Sequence, residues 1–410
     1  MKKNVLNSPV YIMFPLLLIE AAFPDSNLKF FIRLPLYLFL IFIPLYYNHF
    51  FKNVTSKFAI LLIKSILLYG IFLILRSLLY DDNKAIFGNT ITTLFGNTQV
   101  GAIVFLLPLM VTFSAKTSTL KEIFRISKFI LFIGFFISVY NIIIGNIESF
   151  NFLLILECSA FIFLFFPYLN NLRQELWFIL CIALLILVTL NTGERAILLF
   201  ILFSGLSFLL VKFIKSKILL KTYAIVLIVL SLLILTYGLY YKVSVFELLQ
   251  SSFSDNNKNT QDTRSFLYFE FSDDLSLHHS WVFGKGILGS YYSETMDKAM
   301  RSGEYSDFKD RIGVEVGFLQ YILKGGILYL SLYVIIMIVA IINAQNQSQN
   351  DLIKIASLIL VGRFFISTIS EYPAFNFKNI VMWILIGLCL NKRCLGLSNR
   401  DIKAIIFKKT

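Results

Sequence analysis

The chain alternates long apolar runs with short polar connections, and it does so from end to end. A helix needs about 20 residues to cross ~30 Å of hydrocarbon. On that ruler the runs at 10–23, 28–47, 58–80, 98–115, 126–146, 152–169, 175–191, 196–214, 219–241, 316–343, 352–369 and 377–392 predict an all-α integral membrane protein of about a dozen transmembrane helices. Val10–Phe23 follows two lysines and enters Pro24-Asp25 without a small-residue cleavage site, so it reads as the first membrane helix rather than a removable signal. The pattern divides the chain into a nine-helix region (1–241), a hydrophilic loop (242–315), a three-helix region (316–392) and a basic tail (393–410).

Composition agrees. With 58% hydrophobic and 15% charged residues, the chain falls well short of the ~25% charge of a soluble domain. Of the four cysteines, Cys158, Cys181 and Cys389 lie in or beside apolar runs and Cys394 in the tail, which leaves no disulfide framework in the loop.

Lysine and arginine set the expected orientation. If the N-terminus is cytoplasmic, twenty of them fall on that side, and only Lys29, Lys84, Arg195 and Lys378 in short connections opposite. Both termini are therefore expected in the cytoplasm and 242–315 outside. That loop holds eight basic and twelve acidic residues, a net of −4, so the rest of the chain carries +17 and the two together give the overall +13. The positive charge belongs to a membrane surface, and no basic soluble domain exists to bind nucleic acid.

A loop of about seventy residues is long enough to be functional in its own right. It carries turn signals at Asp255-Asn256-Asn257, Gly284-Lys285-Gly286 and Ser302-Gly303, and a helical pattern from Thr263 to Leu275. Asp81–Thr98, with Ile86, Phe87, Ile91, Leu94 and Phe95, suits either a short interfacial helix or an irregular connection.

Charges at membrane depth are costly and tend to mark sites. Glu157 and Arg363 fall roughly 8–10 Å below the outer surface at ~1.5 Å per residue. With Glu20, Arg76 and Arg195 they suggest a polar cavity open to the outside. Glu20 and Arg76 also fit snorkelling, as does Lys64 at the inner end of its segment. For Glu157 and Arg363 a structural ion pair and a catalytic role both stand.

Three stretches stand out: Asn191-Thr192-Gly193-Glu194-Arg195, Asp262-Thr263-Arg264-Ser265, and Arg311 to Ile327, the last including Glu315-Val316-Gly317-Phe318-Leu319-Gln320 and Gly325-Gly326. In the Thr-Gly-x-Arg turn, the Arg-Ser pair, Gly284-Lys285-Gly286 and the Glu-x-Gly-x-Leu-Gln run, with their order and side of the membrane, the chain resembles the bacterial O-antigen and capsule polysaccharide polymerases (Wzy). The wider superfamily includes the O-antigen ligases. The resemblance implies a membrane glycosyltransferase that joins undecaprenyl diphosphate-linked oligosaccharides at the outer face of the bacterial cytoplasmic membrane, without a cofactor. Membrane lipids, a chain-length regulator and a flippase are the further partners it implies.

Such chemistry needs cations for the diphosphate, and arginine pairs with phosphate oxygens through two donors. By resemblance Arg195 and Arg264 form the diphosphate clamp, with Arg311 as a third member. Arg195 also reads as an interfacial arginine, and Arg264 as a salt-bridge partner of Asp262 or Glu270. Ligases carry His-Asn where this chain has Glu315-Val316, which favours a polymerase. Glu315 reads either as the base that takes the acceptor hydroxyl's proton or as a partner of Arg311 four residues earlier on one helix face.

Adjacent His278 and His279, with Asp273 and Asp274 upstream, do not make a zinc site, because neighbouring histidines rarely reach one ion; no metal is expected. Trp281, Tyr291 and Tyr292 suit either sugar stacking or an interfacial belt. A flippase is the competing class, although transporters favour internal repeats and midplane sites.

Overall fold

A computed structural model describes residues 42, 49–79, 94–95, 101–144, 160–169, 171–192, 195–244, 265–301, 310–370 and 373–407. The runs at 10–23 and 28–47, apart from Phe42, lie outside the described residues, as does nearly all of 81–98.

Apolar runs become helices because only a helix satisfies every backbone group within its own segment when water is absent. The long ones are α1 (Lys57–Leu79), α3 (Ser118–Ile144), α4 (Leu172–Thr192), α5 (Arg195–Phe213), α6 (Lys217–Tyr241), α9 (Gly317–Gln347) and α10 (Asp351–Ile369). Between α1 and α3 lies the short α2 (Ala102–Leu106). Later come α7 (Ser265–Leu277), α8 (Glu294–Arg301), α11 (Phe377–Leu390), α12 (Lys392–Gly396) and α13 (Asn399–Phe407). Among the described residues, six helices are long and apolar enough to cross a membrane: α1, α4, α5, α6, α9 and α10.

The bundle is built for lipid. Leu61, Leu68, Phe132, Leu180, Leu206, Val229 and Leu233 stand exposed, whereas a water-soluble surface rarely carries so large an apolar area. At the centre stands α10, buried along nearly its whole length and packed by α5, α6, α9 and α11. This is a multi-pass helical membrane protein.

Two expected straight spans take another form. In 98–115, α2 passes into a 3₁₀ helix (Leu107–Ala115) with Pro108 in its first turn, and the chain then bends by 116° into α3. Proline lacks the amide that would continue an α-helical ladder but fits a first turn. Leu107–Ser114 are all buried, packed against α11, so this segment is core rather than lipid-facing wall. The described part of 152–169 is likewise two 3₁₀ turns (Ala160–Leu164 and Phe166–Tyr168), the second begun around Pro167. The helix expected at 126–146 starts eight residues earlier, at Ser118.

Asparagines lock one end of the bundle. Asn391 Nδ2 donates to Ser114 O at 2.8 Å, and a backbone bridge joins Val54 to Asn391. Asn350 caps α10 through Ile353 N at 3.0 Å and donates to Cys394 O and Leu397 O. Asn399 Oδ1 accepts from Tyr168 Oη and from Asp351 N, both at 2.8 Å. At the opposite end residues 265–301 and 310–316 sit on the helix termini: Tyr268 Oη donates to Thr368 O at 3.0 Å.

Candidate functional site

The site region is where the returning loop meets the start of α9. Helix α9 is broken at Gly326, whose φ of 71° and ψ of −177° suit glycine almost alone. A break strands backbone groups in a buried place, and such groups need partners. The loop supplies them. Ile327 N donates to Trp281 O at 2.8 Å and Leu328 N to Val282 O at 3.3 Å. Lys285 N donates to Leu323 O at 2.7 Å and Gly286 N to Lys324 O at 3.0 Å. Gly284-Lys285-Gly286 and Gly325-Gly326, separate motifs in the sequence, thus form one backbone crossing.

Helix α1 clamps this crossing. Tyr69 Oη donates to Gly325 O at 3.0 Å, and Ser77 Oγ accepts from Ile287 N at 2.9 Å. Arg76 Nη1 donates to Phe283 O and Gly284 O, each at 3.1 Å. Two backbone carbonyls of the loop thus take the Arg76 guanidinium near the end of α1. Buried Lys324 donates to Gly289 O at 2.6 Å.

Beside the crossing lies a polar cluster. Glu270, one face of α7, is buried and accepts at Oε1 from Thr295 N at 3.0 Å and Thr295 Oγ1 at 2.9 Å. Its Oε2 has no hydrogen-bond partner among the described residues. A two-stranded ribbon, β1 (Tyr291–Tyr292) against β2 (Asp310–Arg311), sets Tyr291 opposite Arg311. The Arg311 guanidinium lies 5.1 Å from the Phe266 ring centre.

Burial raises the Tyr291 hydroxyl well above the usual phenol range; Arg311 opposes the rise, and Glu270 and Glu315 add to it. Tyr291 is therefore a protonated donor at neutral pH. Asp274, one turn along α7, pairs with Lys285 and accepts from Tyr292 N at 3.3 Å, which ties this cluster to the crossing. Gln320 Oε1 accepts from Val314 N at 2.9 Å and so fixes the backbone next to exposed Glu315.

Of the residues singled out from sequence, Arg311 stands opposite Tyr291 in the ribbon, and Glu315 follows it on the stretch that leads into α9. They do not share a helix face, however: Arg311 is in β2, Ile312–Val316 are not helical, and α9 begins at Gly317. Arg363 belongs to a second place, buried between α10 and α11, where Nη2 donates to Asn379 Oδ1 at 3.2 Å. Asn379 is itself held by Ala374 O at 2.8 Å and by the Asn376 cap at 2.9 Å. Arg195 is the first residue of α5, with its side chain outside the described residues; Arg264 and Glu157 lie wholly outside them. The pairings of Glu157 with Arg363 and of Arg264 with Glu270 fall there too.

Sequence reasoning gave no role to Lys324, Asn379 or the Asp274–Lys285 pair. Glu270 and Asp274 at four-residue spacing on α7 were the available signal. Asp273 and Asp274 are each engaged by a lysine, Lys242 and Lys285. Among the described residues no three His, Cys, Asp or Glu side chains gather as a metal site would require.

No protein-family model, curated protein or solved structure matches the chain. Chemistry therefore has to be read from the cluster itself. A guanidinium, a phenol that keeps its proton and two carboxylates, one buried and one exposed, suit a ligand bearing both anionic oxygens and hydroxyl groups.

Proposed function

We propose that the chain is a polysaccharide polymerase, a membrane glycosyltransferase joining undecaprenyl diphosphate-linked repeat units at the outer face of the bacterial cytoplasmic membrane. The observation that carries the reading is the pairing of Arg311 with Tyr291 in the ribbon beside α7, four residues before exposed Glu315, where the docked loop returns to α9. In this proposal a hydroxyl of one lipid-linked oligosaccharide attacks the anomeric carbon of another. The new glycosidic bond forms as the anomeric carbon–oxygen bond to the diphosphate breaks, and the lipid diphosphate leaves. Glu315 takes the hydroxyl proton. Arg311, with Arg195 and Arg264, binds the diphosphate and stabilises charge developing on the leaving oxygen.

The proposal includes about twelve crossings with both termini in the cytoplasm. Segment ends that the lysine and arginine count places inside do meet: Asn53–Thr55, Ser114, Asn350, Asn391 and Asn399 share one end. Ends placed outside meet as well: Arg76, Phe283, Tyr268 and Thr368 share the other.

The test is the glycan profile of a deletion strain. A polymerase defect collapses the ladder to one repeat on the outer face. A flippase defect leaves lipid-linked units facing the cytoplasm, and a ligase defect leaves long polymer on its lipid carrier; either result overturns the reading, as does a tag that places 242–315 in the cytosol.

A further inference from the structure

At the asparagine-locked end of the bundle, a groove of about 240 Å³ opens between α3 and α4, lined by Arg125, Lys128, Phe129, Phe132, Trp177 and Phe178. Both helices start from this end, but α3 begins farther out, because Phe135 in its fifth turn meets Trp177 in the second turn of α4. On α3 the order from the end inward is Arg125, Lys128, Phe129, Phe132 and then Phe135, whose ring stands 4.9 Å from that of Trp177. Cations come first and aromatic rings follow.

The groove opens outward: Arg125, Lys128, Phe129, Phe132 and Trp177 are all exposed. No acidic side chain lines it, although Glu122 on α3 and Glu175 on α4 are near in sequence. A polar-to-apolar gradient with positive charge at its polar end complements one molecule abundant around a membrane protein, a lipid with an anionic headgroup and acyl chains. The volume is just below the ~300 Å³ of the smallest drug-sized pockets, which fits a headgroup and the first part of its chains rather than a whole lipid.

We propose that the α3–α4 groove is a binding site for an anionic phospholipid, with Arg125 and Lys128 on the phosphate and Phe129, Phe132 and Trp177 against the glycerol and upper acyl chains. The site lies on the lipid-facing flank, away from the loop cluster, and its occupancy does not depend on which reaction that cluster performs.

The full chain reconstituted in phosphatidylcholine vesicles provides the test. Brominated phosphatidylglycerol and brominated phosphatidylcholine are compared as quenchers of Trp177 fluorescence, with Trp177→Phe identifying the signal. Each basic side chain near an anionic surface contributes about a five-fold preference, so with two of them half-quenching is expected at a roughly 25-fold lower fraction of phosphatidylglycerol than of phosphatidylcholine. Arg125→Gln with Lys128→Gln removes the preference, while Arg125→Lys keeps it. Equal quenching by the two lipids in the unmodified protein overturns the proposal without any variant, as does a preference that survives the double substitution in correctly assembled protein. Competition by free glycerol phosphate in place of the lipid also overturns it, since that outcome assigns the cations to a soluble anion.

Discussion

Gly284 and Gly326 cross so closely that a Cβ on Gly284 would stand 2.6 Å from the amide nitrogen of Gly326. A Cβ on Gly326 would stand 2.0 Å from Val282 O. Neither clash can be relieved by turning a side chain, because the obstacle is backbone on both sides.

Substitution here should therefore be severe. Gly326→Ala combines a glycine-only conformation with a backbone clash, and we expect a loss of about 3 kcal/mol or more. Gly396→Ala, where a Cβ would meet nothing within 4 Å, is the matched control. Thermal aggregation midpoints in detergent compare the two; equal midpoints would contradict the crossing.

Arg76 is expected to hold the loop down rather than to take part in chemistry. Arg76→Ala removes both donors to Phe283 O and Gly284 O. A hydrogen bond to a charged group contributes about 1.5–3 kcal/mol, though the partial exposure of Arg76 puts this case at the lower end. Faster proteolytic nicking and amide exchange across 281–289 should follow, with no change at the asparagine-locked end.

Lys285 and Asp274 make a largely buried ion pair, with side-chain exposures of 13% and 8%. Lys285→Met leaves the Asp274 carboxylate buried without its counter-charge, a change that costs about 3–5 kcal/mol. Adding Asp274→Leu should restore much of the loss, and a double-mutant cycle read by unfolding measures the coupling.

Acid should loosen the last helix. Ser398 and Asp401 cap it reciprocally: Asp401 Oδ2 accepts from Ser398 Oγ at 2.7 Å and Ser398 N at 3.0 Å, and Asp401 N donates to Ser398 Oγ at 3.2 Å. The Ser398 hydroxyl, then its amide, holds the Asp401 carboxyl below its ordinary 3.8. A lowered folded value means that the native state prefers the ionised form, so the contribution is complete above 3.8 and is lost as pH falls through the lower folded value. Amide protection in Asn399–Phe407, corrected for intrinsic rates, should hold down to about pH 3.8, drop below it in the natural protein and stay flat in Asp401→Asn.

For the proposed reaction, Arg195→Ala and Arg264→Ala should each abolish long-chain polymer with membrane insertion intact, and lysine should rescue only in part because it loses the two-pronged geometry. Loss of a general base typically slows a reaction about 10²–10⁴-fold, and we expect Glu315→Gln to fall in that range. Normal chain length in all three variants would remove these residues from the site.

The apolar runs foretold most helices because burial in lipid leaves the backbone little choice. α1, α4, α5, α6, α10 and α11 begin within three residues of the expected positions. Failures cluster at Pro108 and Pro167, where equally apolar sequence becomes buried 3₁₀ helix. Apolarity alone does not distinguish a wall facing lipid from a core segment. The loop helix was legible to within two residues at its start. The crossing was not, since hydrogen bonds between Trp281–Gly286 and Leu323–Leu328 leave no mark in local pattern beyond their glycines. Arg311 and Glu315 were legible as residues, but the place of Arg311 opposite Tyr291 depends on strand pairing that two-residue β1 and β2 are too short to announce.

The broken helix also fixes a sequence of events during synthesis. Trp281–Gly286 is made before Leu323–Leu328, so until those residues follow, Trp281 O and Val282 O lack the amides that hold them in the finished fold. The loop is thus delivered early and fastened late. Truncated nascent chains ending before Leu323 should leave it open to protease, and those extending well beyond Leu328 should close it.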